Sequence, residues 1–133
     1  MNTIVIYPGR FHPFHRGHKA SYDWLVKHFG DGVYIATSNV QNDTDSPFSY
    51  SDKVKMMTKL GIPSDHIVQV KNPYQAREIV DSLTPEQKAD TALVFAVSEK
   101  DSRRRTSGRV ITLPELGLAP GRRPIFKIGH QNP

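Results

Sequence analysis

The first thirty residues contain the feature that constrains the fold most, an apolar strand that leads through a short loop into a helix. Residues 3–7 are apolar, aromatic or β-branched without polar alternation, as in a strand covered on both faces. Pro8 and Gly9 end this run, and an apolar stripe at helical spacing predicts a helix over residues 17–29. A buried strand followed by a crossover helix is typical of a parallel sheet.

The same alternation continues along the chain of 133 residues. Further strands are predicted at residues 33–37, 67–70, 92–97, 110–113 and 124–128, and further helices at residues 51–60 and 76–83. Strands that alternate with helices are joined by right-handed crossovers, which place helices on both faces of a parallel sheet. We therefore expect an α/β, Rossmann-like fold in a single domain over residues 1–133.

Several protein classes are excluded by composition and patterning. The chain has no cysteine, which excludes disulfide scaffolds, zinc ribbons and thiol nucleophiles and is compatible with a reducing compartment. No apolar run approaches the roughly 18 residues of a membrane helix, and residues 1–7 lack the basic start of a secretory signal. We expect a cytoplasmic protein without membrane contact.

The loop over residues 8–18 is the best candidate for a binding site. Ligands of open parallel sheets bind outside the carboxyl ends of the strands, and the amides at a helix start attract anions. His15 and His18 are three residues apart, so they lie on one side of the first helical turn, where both can direct an N–H at one anion. Gly9 is expected to let the chain turn and a ligand approach, and Gly17 to keep a side chain out of that space.

This arrangement suits nucleotidyl transfer. In that reaction an acceptor phosphate attacks the α-phosphorus of a nucleoside triphosphate, and pyrophosphate leaves. No covalent nucleophile is needed, only in-line alignment and hydrogen-bond donors that are already in place.

Two other interpretations of the histidines stay open at this point. The rings of His15 and His18 would in the simpler case only satisfy backbone groups of the loop. His12 extends the series and suggests a three-histidine zinc site, but Pro13 keeps a regular helix from including it and the loop has no carboxylate. We expect no metal ligand from the protein.

The loop also resembles a known signature. The HxGH nucleotidyltransferase superfamily carries a pattern that is similar to Gly9-x-Phe11-x-Pro13-x-His15-x-Gly17-His18. Its members include adenylyltransferases for nicotinamide mononucleotide and pantetheine phosphate, and cytidylyltransferases for phosphorylated alcohols. The opening at residues 9–13 is most similar to the nicotinamide-nucleotide group, and residues 46–57 resemble a second segment of that group. Residues 94–101 correspond to the fourth strand and its nucleotide-binding loop.

The resemblance implies a role for each position of the loop. His15 and His18 would contact the triphosphate and stabilise the transition state, and Arg10 would hold a phosphate of the acceptor or the nucleotide. Mg²⁺ would be bound mainly by the triphosphate. Backbone contact with the nucleotide, or close approach to it, is implied for Gly9, Phe11 and Gly17.

Outside the loop, the resemblance suggests weaker candidates. The family usually has Glu-Arg where this chain has Asp52 and Lys53, so Lys53 is a candidate acceptor contact, or otherwise a surface charge of its helix. Ser98 and Asp101 follow the fourth strand, where they would contact the nucleotide or form a polar turn.

The arginine-rich segment at residues 103–109 is the last candidate. The family's usual late Ser/Thr-rich motif, which clamps the β- and γ-phosphates, is not found, so the usual C-terminal part is expected to be lacking. Arg105 and Arg109 are expected to bind phosphate instead, since a guanidinium matches phosphate oxygens in pairs. A solvated basic loop or a nucleic-acid contact are the alternatives; few aromatic residues lie near this segment, which disfavours the second.

We therefore expect a nucleotidyltransferase that moves a nucleoside monophosphate, in first place AMP from ATP, to a phosphate-bearing acceptor such as nicotinamide mononucleotide. A cytidylyltransferase acting on a phosphorylated alcohol and a non-catalytic nucleotide-binding module of the same fold are the alternatives. The expected partners are these small molecules rather than nucleic acid or membrane, and a homo-oligomer stays open.

Overall fold

A computed structural model describes residues 2–11, 13–40, 47–97 and 108–112. The described part contains five strands and four α-helices. The strands are β1 (Asn2–Pro8), β2 (Val33–Thr37), β3 (Ile67–Gln69), β4 (Thr91–Val97) and β5 (Arg109–Thr112), and the helices are α1 (Arg16–Phe29), α2 (Tyr50–Lys59), α3 (Arg77–Asp81) and α4 (Pro85–Ala89).

The five strands form one sheet in the order β3-β2-β1-β4-β5, and all four neighbouring pairs are parallel. Strands β2 and then β3 lie on one side of β1, and strands β4 and then β5 lie on the other side. The strand order therefore switches beside β1, and its carboxyl end is where an open parallel sheet binds ligands. The expected Rossmann-like fold is confirmed.

Strand β1 is buried on both faces, as its apolar run predicted. Val5 and Tyr7 belong to a core cluster that includes Leu25 of α1, whereas Ile6 belongs to a second cluster that includes Ala76, the residue before α3. Successive side chains of a strand point to opposite faces, so one strand contributes to both clusters. The two helices cover opposite faces of the sheet.

Helix α2 begins one residue earlier than predicted, with a capping box. Ser49 Oγ accepts from Asp52 N at 3.1 Å, and Ser49 N donates to Asp52 Oδ2 at 3.2 Å. This reciprocal pair satisfies two amides at the helix start. The acidic position of the second family-like segment is thus used to cap the helix.

The second half of the described chain differs more from the prediction. Helix α3 is shorter than residues 76–83, and α4 was not anticipated, although Thr84 and Gln87 form a capping box with Pro85 at the first helical position. Strand β5 confirms the strand expected at residues 110–113, and the one expected at 124–128 lies outside the described residues. No helix within the described ranges is long and apolar enough to cross a membrane.

Candidate functional site

In the β1–α1 loop, the residue with a left-handed backbone is Phe11 rather than Gly9. Phe11 has a φ of 51°, in the left-handed region that non-glycine residues seldom adopt, whereas Gly9 is not among the described residues with positive φ. A Cβ on Gly9 would lie 2.9 Å from Phe11 Cζ, so Gly9 makes room for the Phe11 ring. The left-handed backbone of this loop is thus at Phe11, and the approach of a ligand to Gly9 stays a prediction.

The two histidines of the loop form one hydrogen-bonded unit at the start of α1. Their rings are stacked, with centroids 3.8 Å apart and an interplanar angle of 24°. His15 Nδ1 accepts from Gly17 N at 3.0 Å, and His18 Nδ1 accepts from His15 N at 3.1 Å. This is a capping box in which both side chains are imidazoles.

These hydrogen bonds also fix the tautomer of the two rings. A ring nitrogen that accepts a hydrogen bond carries no proton, so neutral His15 and His18 each carry their proton on Nε2. Each ring therefore satisfies a backbone amide through Nδ1 and carries its N–H on Nε2. The simple capping interpretation and the anion-binding interpretation are compatible.

Gly17 makes room for a neighbouring side chain, and the space that it was expected to leave for a ligand stays a prediction. A Cβ at this position would lie 2.9 Å from His15 Cε1 and 3.1 Å from His15 Nδ1. The absence of a side chain thus leaves room for the ring of His15 itself, where the sequence suggested room for a ligand.

An aromatic cluster surrounds the ring of His18. Phe11 meets it edge-to-face at a centroid distance of 5.1 Å, and Phe14 lies beside it at 5.3 Å with an interplanar angle of 31°. Phe11 also contacts Tyr7 of β1 at 5.4 Å. Phe11 and Phe14 are buried and His15 is exposed, so the histidine pair rests on a packed base and reaches the surface.

Lys53 is buried at the same edge of the sheet. Its side chain is fully buried, and its Nζ donates to Ser38 O at 2.9 Å and to Thr37 Oγ1 at 3.3 Å, just beyond the carboxyl end of β2. The hydroxyl of Thr37 in turn donates to Arg10 O at 3.4 Å. Lys53 is therefore linked to the β1–α1 loop, and the alternative of a surface helix charge is wrong.

Arg10 and Lys53 place positive charge at this edge of the sheet. Burial, and secondly the positive charge of Arg10, lower the pKa of Lys53 below its usual value. Within the described ranges neither Arg10 nor Lys53 forms an ion pair with an acidic side chain. A buried ammonium beside an exposed guanidinium creates a positive potential that attracts an anion.

Arg109 does not join the histidine pair. It begins β5 opposite Val94, midway along β4, and it lines a cavity with Thr3 at the amino end of β1 and with Phe29 at the end of α1. This position is away from the carboxyl edge, which corrects the expected phosphate contact. Ser98, Asp101 and Arg105, and also His12, lie outside the described residues.

The described part of the chain offers no metal cage. Among residues 2–11, 13–40, 47–97 and 108–112, no three side chains of the His, Cys, Asp or Glu type come together closely enough to hold a metal ion. Besides the two imidazoles, the described residues at this edge of the sheet offer the guanidinium of Arg10 and the ammonium of Lys53.

One family model matches most of the chain. The model of the Cytidylyltransferase-like family matches residues 6–115. The chain belongs to this family. The match confirms the resemblance that was based on the loop signature, and it includes the end of β1, the histidine pair, Lys53 and β4.

Two relatives within the family are named nicotinamide-nucleotide adenylyltransferases. The one from Methanocorpusculum labreanum is 36% identical over 55 residues, and the one from Sulfurisphaera tokodaii is 33% identical over 56 residues. Each match covers 41% of this chain and 33% of the relative. The matched part thus spans a third of the length of either relative.

Proposed function

We propose that the protein is a nucleotidyltransferase that moves a nucleoside monophosphate, in first place AMP from ATP, to a phosphate-bearing acceptor and releases pyrophosphate. The observation that carries this proposal is the stacked pair of His15 and His18 at the start of α1, beside the switch in strand order. Family membership and the names of the two relatives support it and favour nicotinamide mononucleotide as the acceptor.

In this proposal the two imidazoles act as donors. Their Nε2–H groups would bind oxygens of the triphosphate and stabilise the charge that is redistributed as the bond to pyrophosphate breaks. Because each Nδ1 is held by a backbone amide, the rings need no reorganisation during the reaction. They would not act as bases, since the nitrogen that carries the proton is the one that faces away from the backbone.

Arg10 and Lys53 would bind the acceptor phosphate together. Arg10 is exposed and can offer a fork of N–H groups to the phosphate oxygens. The ammonium of Lys53 is already bound to Ser38 O and Thr37 Oγ1, so it would contribute positive potential from the interior of the protein. It would also hold the backbone of Arg10 in place, because Thr37 Oγ1 donates to Arg10 O. Backbone groups of Gly9 and Phe11 would contact the nucleotide.

Mg²⁺ fits this site only as a partner of the triphosphate. Among the described residues no cluster of His, Asp or Glu side chains could hold the ion, and imidazole, guanidinium and ammonium groups suit phosphate oxygens rather than a hard divalent cation. The ion would neutralise charge on the phosphates when it is bound.

A second candidate is cytidylyl transfer from CTP to a phosphorylated alcohol. The description of the matching family favours it. The same histidine pair would serve either reaction, because the transferred phosphate is common to both and the base is not.

A pyrophosphate-release assay tests the proposal. ATP and CTP are each paired with nicotinamide mononucleotide, phosphopantetheine and choline phosphate, with Mg²⁺ present. We expect release with one pair and a loss of about 10²- to 10³-fold in His18→Ala. The matched control is His28→Ala, because His28 also lies on α1 and is stacked on an aromatic ring, that of Trp24.

Two outcomes would count against catalysis. If no pair of substrates gives pyrophosphate, the proposed reaction is wrong. If calorimetry then still detects binding of a nucleoside triphosphate, and His18→Ala weakens it, the chain is a nucleotide-binding module that uses the same loop.

A further inference from the structure

We propose that Thr37 is a positioning residue for acceptor binding, whose hydroxyl holds the backbone of Arg10 where the guanidinium can meet a phosphate. The proposal deepens the proposed function and rests on it for the binding of an acceptor. Thr37 is the last residue of β2, and nothing in the sequence pattern marked it as a site residue. Its side chain is fully buried at the carboxyl edge of the sheet.

The direction of the hydrogen bonds at Thr37 is determined by Lys53. An ammonium has donors and no acceptor, so Thr37 Oγ1 accepts from Lys53 Nζ, which lies 3.3 Å away. A second bond from Nζ to Ser38 O at 2.9 Å keeps the ammonium in this place. The hydroxyl has one proton of its own, and its acceptor is Arg10 O at 3.4 Å. While Lys53 is charged, the proton of Thr37 is therefore directed at Arg10 O.

The β1–α1 loop is attached to the end of β2 at two successive residues. Gly9 N donates to Ala36 O at 3.1 Å, as in a continued parallel ladder, and Thr37 then offers its side chain to Arg10 O. The first bond joins two backbone groups, so it does not depend on the side chain at position 36. The second bond needs a hydroxyl, so it is the one that the residue type determines.

The backbone that follows Arg10 needs such an anchor. The peptide group that contains Arg10 O leads directly into Phe11, whose φ of 51° is unfavourable for a bulky side chain. Strained backbone persists only where the surrounding contacts hold it in place. Rotation of this peptide group would move Arg10 O away from Thr37. The hydroxyl therefore opposes that rotation and fixes the position from which the side chain of Arg10 extends.

Substitutions on β2 separate this task from the general stability of the sheet. Thr37→Val keeps the shape of the side chain and removes the hydroxyl, whereas Thr37→Ser keeps the hydroxyl. Thr37→Ala repeats the test with a smaller side chain, so the result does not depend on whether valine is accepted beside the buried ammonium. Ile35→Val is the matched control, because Ile35 is buried on the same face of the same strand and has no polar group.

The test combines kinetics with the ¹³C resonance of the Arg10 carbonyl. The substrates are the pair that releases pyrophosphate, in first place ATP and nicotinamide mononucleotide. We expect Thr37→Val and Thr37→Ala to raise the KM for the acceptor by about 10-fold, with the KM for the nucleoside triphosphate changed less than about threefold. Thr37→Ser should keep the KM for the acceptor near that of the wild type. In Ile35→Val the melting temperature should fall while both KM values stay as in the wild type.

The carbonyl resonance reports on the hydrogen bond itself. It should shift in Thr37→Val and Thr37→Ala and stay in place in Ile35→Val. It should also shift in Lys53→Met, because the hydroxyl proton is then no longer directed by an ammonium and can turn away from Arg10 O.

Two results would overturn the proposal. One is an unchanged Arg10 carbonyl resonance in folded Thr37→Val and Thr37→Ala. The other is a KM for the acceptor that rises no more in these variants than the KM for the nucleoside triphosphate, or no more than in Ile35→Val. The resonance is measured without turnover, so if the wild-type chain releases no pyrophosphate, the proposed function fails while the bond from Thr37 to Arg10 O is still tested.

Discussion

His15 and His18 are joined twice, by a hydrogen bond from His15 N to His18 Nδ1 at 3.1 Å and by ring stacking at 3.8 Å. The same two side chains therefore begin the helix and form the candidate anion site. The contacts that cap the helix are thus also the contacts that hold the two rings together. The two contributions can be separated only by substitutions that keep one of them.

Replacing His15 by asparagine should separate capping from anion binding. Asparagine is among the best residues at a helix N-cap, so His15→Asn should leave the free energy of unfolding nearly unchanged. His15→Ala removes the side-chain acceptor for Gly17 N and should cost about 1 kcal/mol. Both variants should lose about 10²- to 10³-fold in the rate of pyrophosphate release, because both lack the imidazole donor. Urea denaturation and the release assay measure the two effects, and full activity of His15→Asn would refute the role of the ring.

Replacing Gly17 by alanine should lower activity through His15. Alanine favours a helix by up to about 1 kcal/mol over glycine, so the helix itself gains. The new Cβ would lie 2.9 Å from His15 Cε1 and must displace that ring. We expect a loss of about 10-fold or more in kcat with unchanged or higher thermal stability.

A double-mutant cycle provides the control for Gly17. In a His15→Ala background there is no ring to displace, so Gly17→Ala should have little further effect on kcat. If the fold losses in kcat of the two substitutions multiply instead, Gly17 acts by a route that does not involve His15.

The sheet and the histidine loop could be predicted because their signals are local. An uninterrupted apolar run identified β1, and the spacing of His15 and His18 placed both rings on one side of a helical turn. Alternating strands and helices then determined a parallel sheet with its ligand edge beside this loop.

The misassigned residues depend on contacts that are distant in sequence. The surface alternative for Lys53 rested on the usual exposure of lysine on a helix, and only the approach of β2 makes it an interior cation. Arg109 was expected beside phosphate because a guanidinium matches phosphate oxygens in pairs, whereas the register of β5 starts it opposite Val94. Glycines in a loop suggest where a chain turns, and nothing in the sequence marks Phe11 as the residue with positive φ.

The ionisation of Tyr7 should limit stability at high pH. Burial raises the pKa of Tyr7 to about 12, against a weaker opposing effect of its hydrogen bond with Ser21. Between pH 10 and pH 12 the unfolded chain binds fewer protons than the folded one. The contribution of Tyr7 to the free energy of unfolding is therefore fully present below pH 10 and is lost as the pH rises through this window. The loss attributable to Tyr7 should reach about 2.7 kcal/mol.

Comparison with Tyr7→Phe isolates this effect. Other tyrosines with raised pKa values, such as Tyr22 and Tyr50, are present in both proteins and cancel in the difference. Urea denaturation at pH 9.5, 11 and 12 should show a smaller loss of stability in Tyr7→Phe. Parallel curves for the two proteins would contradict burial of the phenol.

Replacing Lys53 by methionine should remove both an anion contact and a pH dependence. The pKa of Lys53 is lowered by burial and by Arg10, so between that lowered pKa and 10.5 the unfolded chain binds more protons, and the folded state gains stability as the pH rises. Lys53→Met keeps the length of the side chain without the charge. The free energy of unfolding of this variant should therefore lack the rise with pH, and it should no longer increase on addition of inorganic phosphate. If Lys53 supports acceptor binding, the variant should also raise the KM for the acceptor more than the KM for the nucleoside triphosphate. Equal stabilisation of both proteins by phosphate would show that the anion binds elsewhere, because the ammonium at Ser38 O and Thr37 Oγ1 is the group that the substitution deletes.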